Sequence, residues 1–214
     1  MITVVSACYG GYDVPSIPPE QDVAVRWVMV TDGIDVPEPW EHVIVESELH
    51  PRLAAKVPKC FPHRYADGPV IWLDASAQVN STTFASDCVA ALGNGDVAMW
   101  DHPQRDCILP EAAVSATMPK YRGLPVEIQA AHYINSGHPL NFGLWATGCM
   151  VWSGELHRPE RIGEAWFDEQ MYWTYQDQLS WPAIVRRYEL EVRPLPGMLW
   201  DHKMVTFRPH ASQL

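Results

Sequence analysis

Short apolar segments rich in β-branched residues recur along the 214-residue chain, and each is bounded by Gly, Pro, Asp or Asn. Segments of this kind are typical of strands that are buried in a sheet. The predicted strands cover residues 2–7, 25–31, 43–45, 70–73, 97–100 and 145–152.

The segments between these strands predict helices, and the last two have a periodic apolar face opposite a charged one. The predicted helices cover residues 51–60, 83–92, 111–116, 124–134, 159–172 and 178–188. Strands that alternate with helices predict an α/β fold, in which a mainly parallel sheet is flanked by helices on both sides. The length suits a single domain over residues 1–214.

Composition narrows the function classes. The hydrophobic fraction of 47% is that of a globular chain, and no apolar run approaches the roughly 18 residues of a membrane-spanning helix. No basic region precedes the first apolar segment, so we expect no signal peptide and a cytoplasmic location, or the host cytoplasm for a viral gene. The five cysteines stand singly, which argues against a disulfide framework or a thiolate zinc site. A net charge of −11 disfavours tight binding to duplex DNA.

Polar residues follow four of the predicted strands, at the edge where such sheets bind ligands. One strand ends in Asp74, and Ser76 lies two residues further on, so both side chains could face a divalent cation or a ribose. His202 is a candidate third ligand, and Lys203 beside it could contact phosphate. The alternatives are a turn residue for Asp74 and an exposed tail for His202.

The first two strand ends and the helix that follows predict a nucleotide site. Tyr9 and Tyr12 flank two glycines, so the backbone could approach a ligand closely while an aromatic ring stacks on a base. The carboxylate of Asp32 could accept hydrogen bonds from the ribose or from the edge of the base. Arg52 and Lys56 are four residues apart on one helix face and suit a diphosphate, or they form a solvated face.

Two later segments could contact the sugar. Arg105 and Asp106 lie in a connecting loop unusually dense in charged residues, and could recognise sugar hydroxyls. Asp177 and Gln178 open an amphipathic helix, where the aspartate either caps the helix or stabilises an oxocarbenium-like transition state.

Together these segments resemble a family of glycosyltransferase-like domains whose plant members include a turgor-regulation protein and a mucilage-related protein. The resemblance runs in order through Ala7-Cys8-Tyr9-Gly10-Gly11-Tyr12-Asp13, Arg52 to Lys56, Ile71-Trp72-Leu73-Asp74, His102-Pro103, Arg105-Asp106-Cys107, Glu111-Ala112, Gly143-Leu144 and Asp177-Gln178-Leu179-Ser180. It implies a GT-A-like nucleotide-sugar-binding fold, with the nucleotide part over about 1–100 and the acceptor part over about 101–214. The resemblance also implies that Ala7 and Asp13 belong to the donor site.

The family is in turn similar to retaining transferases of the glycogenin type. That likeness implies Asp74 and His202 as ligands of Mn²⁺ or Mg²⁺, and Asp177 and Gln178 as sugar and acceptor contacts. The chain has Ser76 where the usual motif has a second carboxylate. The implied reaction moves a sugar from a nucleotide diphosphate, expected to be a UDP-sugar, to a hydroxyl of a glycan, a protein or a modified nucleobase.

Two other functions stay open at this point. A metal-dependent amidohydrolase, similar to a ceramidase, would need three protein ligands and an open metal position. A non-catalytic nucleotide- or sugar-binding module would account for the missing second carboxylate.

Overall fold

A seven-stranded sheet runs through the centre of the computed structural model, which describes residues 1–154 and 160–210. The strands of these residues are β1 (Ile2–Cys8), β2 (Val25–Thr31), β3 (Trp40–Ile44), β4 (Val70–Leu73), β5 (Ala77–Val79), β6 (Val97–Asp101), β7 (Trp145–Trp152), β8 (Val192–Pro194) and β9 (Val205–Phe207). The sheet order is β3-β2-β1-β4-β7-β6-β8, while β5 and β9 form a separate antiparallel ribbon.

Six strands of the large sheet point the same way, and β7 runs antiparallel between β4 and β6. This arrangement confirms the prediction of a mainly parallel sheet. It also places the amino-terminal half of β7 at the same edge as the carboxyl ends of β1, β4 and β6. Polar residues from strands far apart in the sequence therefore meet at one edge.

Helices cover both faces of the sheet. They are α1 (Pro51–Ala54), α2 (Lys56–Cys60), α3 (Phe84–Leu92), α4 (Ile108–Thr117), α5 (Val126–Asn135), α6 (Glu160–Tyr172) and α7 (Asp177–Tyr188). The predicted helix at 51–60 is divided in two because Pro58 has no N–H to donate to the carbonyl of Ala54. Pro159, the predicted start of α6, lies outside the described residues.

The sheet is buried on both faces, which is why its strands read as continuous apolar runs. Val4 and Ile71 face one core, together with α3, whereas Val5 and Trp72 face the other, together with α2, α6 and α7. On that second side the rings of Trp152, Trp166 and Trp181 pack with centroids 4.6 to 6.2 Å apart. A third apolar cluster joins α4, α5 and α7.

The strands that sequence patterns miss are the three shortest. Strands β5, β8 and β9 have three residues each, and β8 is mostly exposed and contains Pro194. They form because longer elements bring them together, since so short a segment carries no periodicity of its own. In the described part of the chain, no helix has the length and apolarity that crossing a membrane requires.

Close packing of α6 on α2 supplies a test of the fold. A Cβ added at Gly163 would lie 2.1 Å from the carbonyl oxygen of Cys60. Alanine favours helix by about 1 kcal/mol over glycine, but the clash is with backbone and cannot be relieved by a rotamer change. We expect Gly163→Ala to lower the free energy of unfolding by about 2 kcal/mol in urea titrations.

Glu164, the exposed neighbour of Gly163 on α6, gives the matched control. Glu164→Ala should change stability by less than about 0.5 kcal/mol. Equal or greater stability of Gly163→Ala would contradict the described packing of the two helices.

Candidate functional site

A cleft of about 300 Å³ opens at the carboxyl edge of the sheet. Its walls come from the ends of β1 and β4, the first half of β7, the start of α7, helices α1 and α2, and the segment that follows β8. The cleft therefore combines residues from the whole length of the chain.

Ten of the sequence-predicted residues line this cleft: Ala7, Tyr9, Tyr12, Asp13, Arg52, Lys56, Asp74, Ser76, Asp177 and Gln178. Five do not line it: Asp32, Arg105, Asp106, His202 and Lys203. The structure thus brings most of the predicted donor-site residues together, and places the others in surrounding or distant positions.

The centre of the cleft floor is a buried cluster of opposite charges around Asp177. Its carboxylate accepts hydrogen bonds from Lys56 Nζ at 2.7 Å, Lys59 Nζ at 2.5 Å and the Thr147 hydroxyl at 3.0 Å. The residue at the helix cap position is Gln176, which makes no side-chain cap bond. Asp177 is thus the first residue of α7, with its oxygens directed at lysines rather than at the helix N–H groups.

The charges of this cluster shift the pKa values of Asp177 and Lys56. Burial by itself raises the pKa of Asp177, but the charges and hydrogen bonds of Lys56 and Lys59 outweigh it and hold that pKa well below its usual range. For Lys56 burial lowers the pKa, yet Asp177 and Asp74 raise it above its ordinary value overall. The Asp177 carboxylate and the Lys56 ammonium are therefore charged at neutral pH.

Asp74 lies beside the cluster but offers little to a divalent cation. One of its oxygens accepts the indole N–H of Trp72 at 2.8 Å and lies 3.5 Å from Lys59 Nζ. Ser76 supplies a buried hydroxyl. No group of three His, Cys, Asp or Glu able to hold a metal occurs in residues 1–154 and 160–210. The side chains present do not fit the predicted Mn²⁺ or Mg²⁺ site, and that site stays a prediction.

His202, the other predicted cation ligand, and Lys203, a predicted phosphate contact, do not line the cleft. His202 is exposed in a left-handed conformation with φ of 55°, and its carbonyl accepts from Asn80. The Lys203 side chain is 83% exposed. Both occupy the turn before β9, which leaves their predicted roles without a contact in the cleft.

The glycine pair after β1 forms the turn that the sequence suggests. Gly10 and Gly11 have φ of 65° and 62°, where a side chain would be strained. Asp32, from the end of β2, accepts the N–H of Gly10 at 2.7 Å. Its carboxylate thus holds the turn that presents Tyr12 to the cleft.

The two tyrosines of this turn differ in what they expose. Tyr9 is only 5% exposed, and burial raises the pKa of its phenol to about 12. Tyr12 packs against two groups, with Arg52 3.9 Å above its ring and the His210 ring at 4.2 Å. Tyr175 lies 5.8 Å from the same guanidinium. The wall is a ladder in which the Arg52 guanidinium lies between the Tyr12 and Tyr175 rings, with the His210 ring against Tyr12.

The end of β9 and the segment after it close one side of the cleft. Phe207 packs on Gly148, where a Cβ would lie 2.6 Å from its ring. Arg208 donates to the carbonyls of Val14 at 2.5 Å and Ser76 at 3.4 Å. His210 Nδ1 lies 3.0 Å from a carboxylate oxygen of Asp13. These contacts fasten residues 207–210 across the end of β1.

Arg105 faces inward and supports the cleft indirectly. Its Nε donates to Glu111 at 2.6 Å, and Glu111 accepts from the amide of Gln176 at 3.0 Å. Gln176 also accepts the hydroxyl of Tyr121 at 2.8 Å. This network positions the residue that precedes Asp177. Asp106 is exposed and does not line the cleft.

Sequence reasoning missed several residues of the site. They are Lys59, Lys120, Thr147, Arg208 and His210. Only Lys59 carries a local signal, since it lies three residues after Lys56 on the same helix side in an otherwise apolar segment. The others reach the site through loops and long-range pairing.

Comparison with known proteins identifies the fold. No protein-family model and no curated protein matches the sequence. Among solved structures, the chain is similar to the apo structure of WbbM, a bifunctional glycosyltransferase, at 16% identity and a TM-score of 0.51. The likeness covers 91% of this chain and 38% of that one, so the chain spans well under half the length of that structure. The fold is therefore the GT-A-like glycosyltransferase fold, as predicted, and the narrower resemblance to the plant family has no matching model.

The buried charge cluster makes a testable contribution to stability. Asp177→Asn leaves two ammonium groups facing a neutral amide, which should lower the free energy of unfolding by about 3–5 kcal/mol at pH 7. The pKa of Asp177 is depressed on folding, so its contribution is complete above the unfolded pKa of about 3.9 and declines as the pH falls below it. Urea titrations of both proteins from pH 7 to pH 3 should show their difference shrinking below about pH 4.

Asp168→Asn on the exposed face of α6 is the control and should match the wild type within about 0.5 kcal/mol. A constant difference between wild type and Asp177→Asn across this pH range would contradict an ionised, lysine-paired carboxylate.

Proposed function

We propose that the chain is a glycosyltransferase that moves a sugar from a nucleotide diphosphate, with uridine diphosphate the expected carrier, to a hydroxyl acceptor. The observation that carries the proposal is a cationic cleft at the carboxyl edge of a GT-A-like sheet. In a chain whose net charge is −11, four cations among the described residues line it: Arg52, Lys56, Lys120 and Arg208. A local reversal of charge at a ligand-binding edge suits an anionic substrate.

The chemistry of sugar transfer explains why both charge signs are needed. When the bond between the anomeric carbon and the diphosphate breaks, negative charge grows on the departing oxygen and positive charge on the sugar ring. In this proposal Arg52 and Lys56 stabilise the diphosphate, and the carboxylate of Asp177 stabilises the oxocarbenium character of the ring.

The protonation of Asp177 limits what it can do in this reaction. A general base works best with a pKa near the operating pH, and the pKa of Asp177 is held far below that. We therefore assign Asp177 a charge-stabilising role, with Gln178 beside it as a polar contact for the sugar or the acceptor. Retention of configuration rests on the likeness to glycogenin-type enzymes alone.

The ladder beside the turn after β1 is our proposed nucleoside wall. Asp13 and His210 place polar groups there, and Tyr12 and Arg52 present flat surfaces. Such groups suit a ribose and a base in combination. The WbbM structure is named as a bifunctional glycosyltransferase, which agrees with the proposal at the level of reaction class.

Each of the two alternative functions makes a different demand on the cleft. A metal-dependent amidohydrolase needs three protein ligands, and the described residues hold no such group. A non-catalytic binding module would bind a nucleotide sugar without turning it over.

Donor hydrolysis tests the proposal. The protein is incubated with UDP-, GDP-, CDP- and TDP-sugars, each with and without Mn²⁺, and released nucleoside diphosphate is measured. We expect one nucleotide class to be turned over and to raise the melting temperature. Gln178→Ala should reduce this turnover about tenfold, because it removes a polar side chain from the cleft.

Gln78→Ala removes the same side chain from an exposed position on β5 and should leave turnover unchanged. Binding without turnover would favour the module. The proposal fails if no nucleotide sugar in the panel is bound or hydrolysed.

A further inference from the structure

We propose, on the basis of the function above, that this cleft neutralises the donor diphosphate with side-chain cations centred on Lys120 instead of with a divalent metal. The inference follows from the balance of charge around the cleft, the surroundings of Lys120 and the surroundings of Asp74.

Among the described residues that line the cleft, positive charges exceed negative ones. They include four Lys or Arg side chains and three carboxylates, those of Asp13, Asp74 and Asp177. Lys59 lies directly beneath, with its ammonium fully buried against Asp177. Lys56 and Lys59 already balance Asp74 and Asp177, so a positive surplus remains among the described residues that an anionic ligand would compensate.

Lys120 is the clearest member of that surplus. No carboxylate lies within 4.0 Å of its ammonium in residues 1–154 and 160–210. Its Nζ lies 4.9 Å from the centroid of the Tyr121 ring. Burial lowers the pKa of Lys120, and the nearby charges of Lys56 and Arg52 lower it further. An anion bound beside Lys120 would offset the repulsion that Lys56 and Arg52 exert on its ammonium.

The backbone around Lys120 is fixed relative to the catalytic edge. The hydroxyl of Tyr175 donates to the carbonyl of Lys120 at 2.6 Å, and Tyr121 donates to Gln176 at 2.8 Å. Both partners directly precede Asp177. The backbone of Lys120 is therefore held at the wall of the cleft that Lys56 also lines, as a preorganised phosphate contact requires.

The surroundings of Asp74 also disfavour a divalent metal. Its charge is countered by Lys59, one oxygen is engaged by Trp72, and the next candidate ligand is the neutral hydroxyl of Ser76. A divalent cation would add two positive charges to a site where cations already exceed carboxylates. Coulomb repulsion in a partly buried cleft makes that addition unfavourable.

Isothermal titration with inorganic pyrophosphate tests this inference, because pyrophosphate carries the diphosphate without a base. We expect wild-type protein to bind it in EDTA within about threefold of its affinity in Mn²⁺. Lys120→Met should weaken binding at least about tenfold, because it removes one charge-assisted contact to phosphate. Lys120→Arg, which keeps the charge, should bind within about threefold of wild type.

Lys203→Met removes an exposed lysine outside the cleft and should leave pyrophosphate affinity unchanged. The cationic mechanism is overturned if the wild type binds pyrophosphate only with Mn²⁺, or if Lys120→Met binds it with wild-type affinity. The transferase proposal is judged separately, by donor turnover. If neither pyrophosphate nor any nucleoside diphosphate of the donor panel binds in either buffer, both proposals fail.

Discussion

The structure of the cleft depends on the burial of Lys59 against Asp177. An ammonium group with a fully buried side chain is stable only when a carboxylate and hydrogen bonds compensate its lost hydration. The partners come from positions 118 residues apart in the chain, and Thr147 of β7 completes the set. This requirement locks α2, β7 and α7 together at one edge of the sheet. The same contacts that compensate the buried charge therefore set the geometry of the proposed active site.

This dual role explains why Asp177 is poorly described as a helix cap. A carboxylate in the first turn of a helix gains from the helix dipole, and local sequence rules recognise only that gain. The two lysines offer a much stronger electrostatic partner in a buried setting. Gln176 takes the cap position without making a cap bond, because its amide is committed to Glu111 and Ser115. Long-range pairing has replaced the local interaction.

The parts of the fold that sequence predicts are those governed by local pattern. Strands β2, β4 and β7 have the predicted bounds, because each is a buried apolar run ended by a turn residue. The rule that ligands bind at the carboxyl edge then brings Asp74 and the Tyr9–Tyr12 turn to the cleft.

The residues that sequence missed belong to segments without periodicity. Lys120 lies in a three-residue 3₁₀ helix, and Arg208 and His210 follow the three-residue strand β9. Their positions depend on contacts such as that between His210 and Asp13, which are 197 residues apart. No spacing within the sequence encodes such a contact. For the same reason the sequence predicted Arg105 as a ligand contact, although its guanidinium forms an ion pair with Glu111.

The contrast between an acidic chain and a cationic cleft also bears on the size of the ligand. Charges separated by more than about 8 Å are largely screened at physiological salt, so the cleft cations act only on groups that enter it. A long polyanion would have to lie along the outer surface, where the net charge of −11 opposes it. A diphosphate is small enough to enter the cleft of about 300 Å³ that Arg52, Lys56 and Lys120 line. The distribution of charge therefore favours a compact anion such as a nucleotide sugar over an extended one.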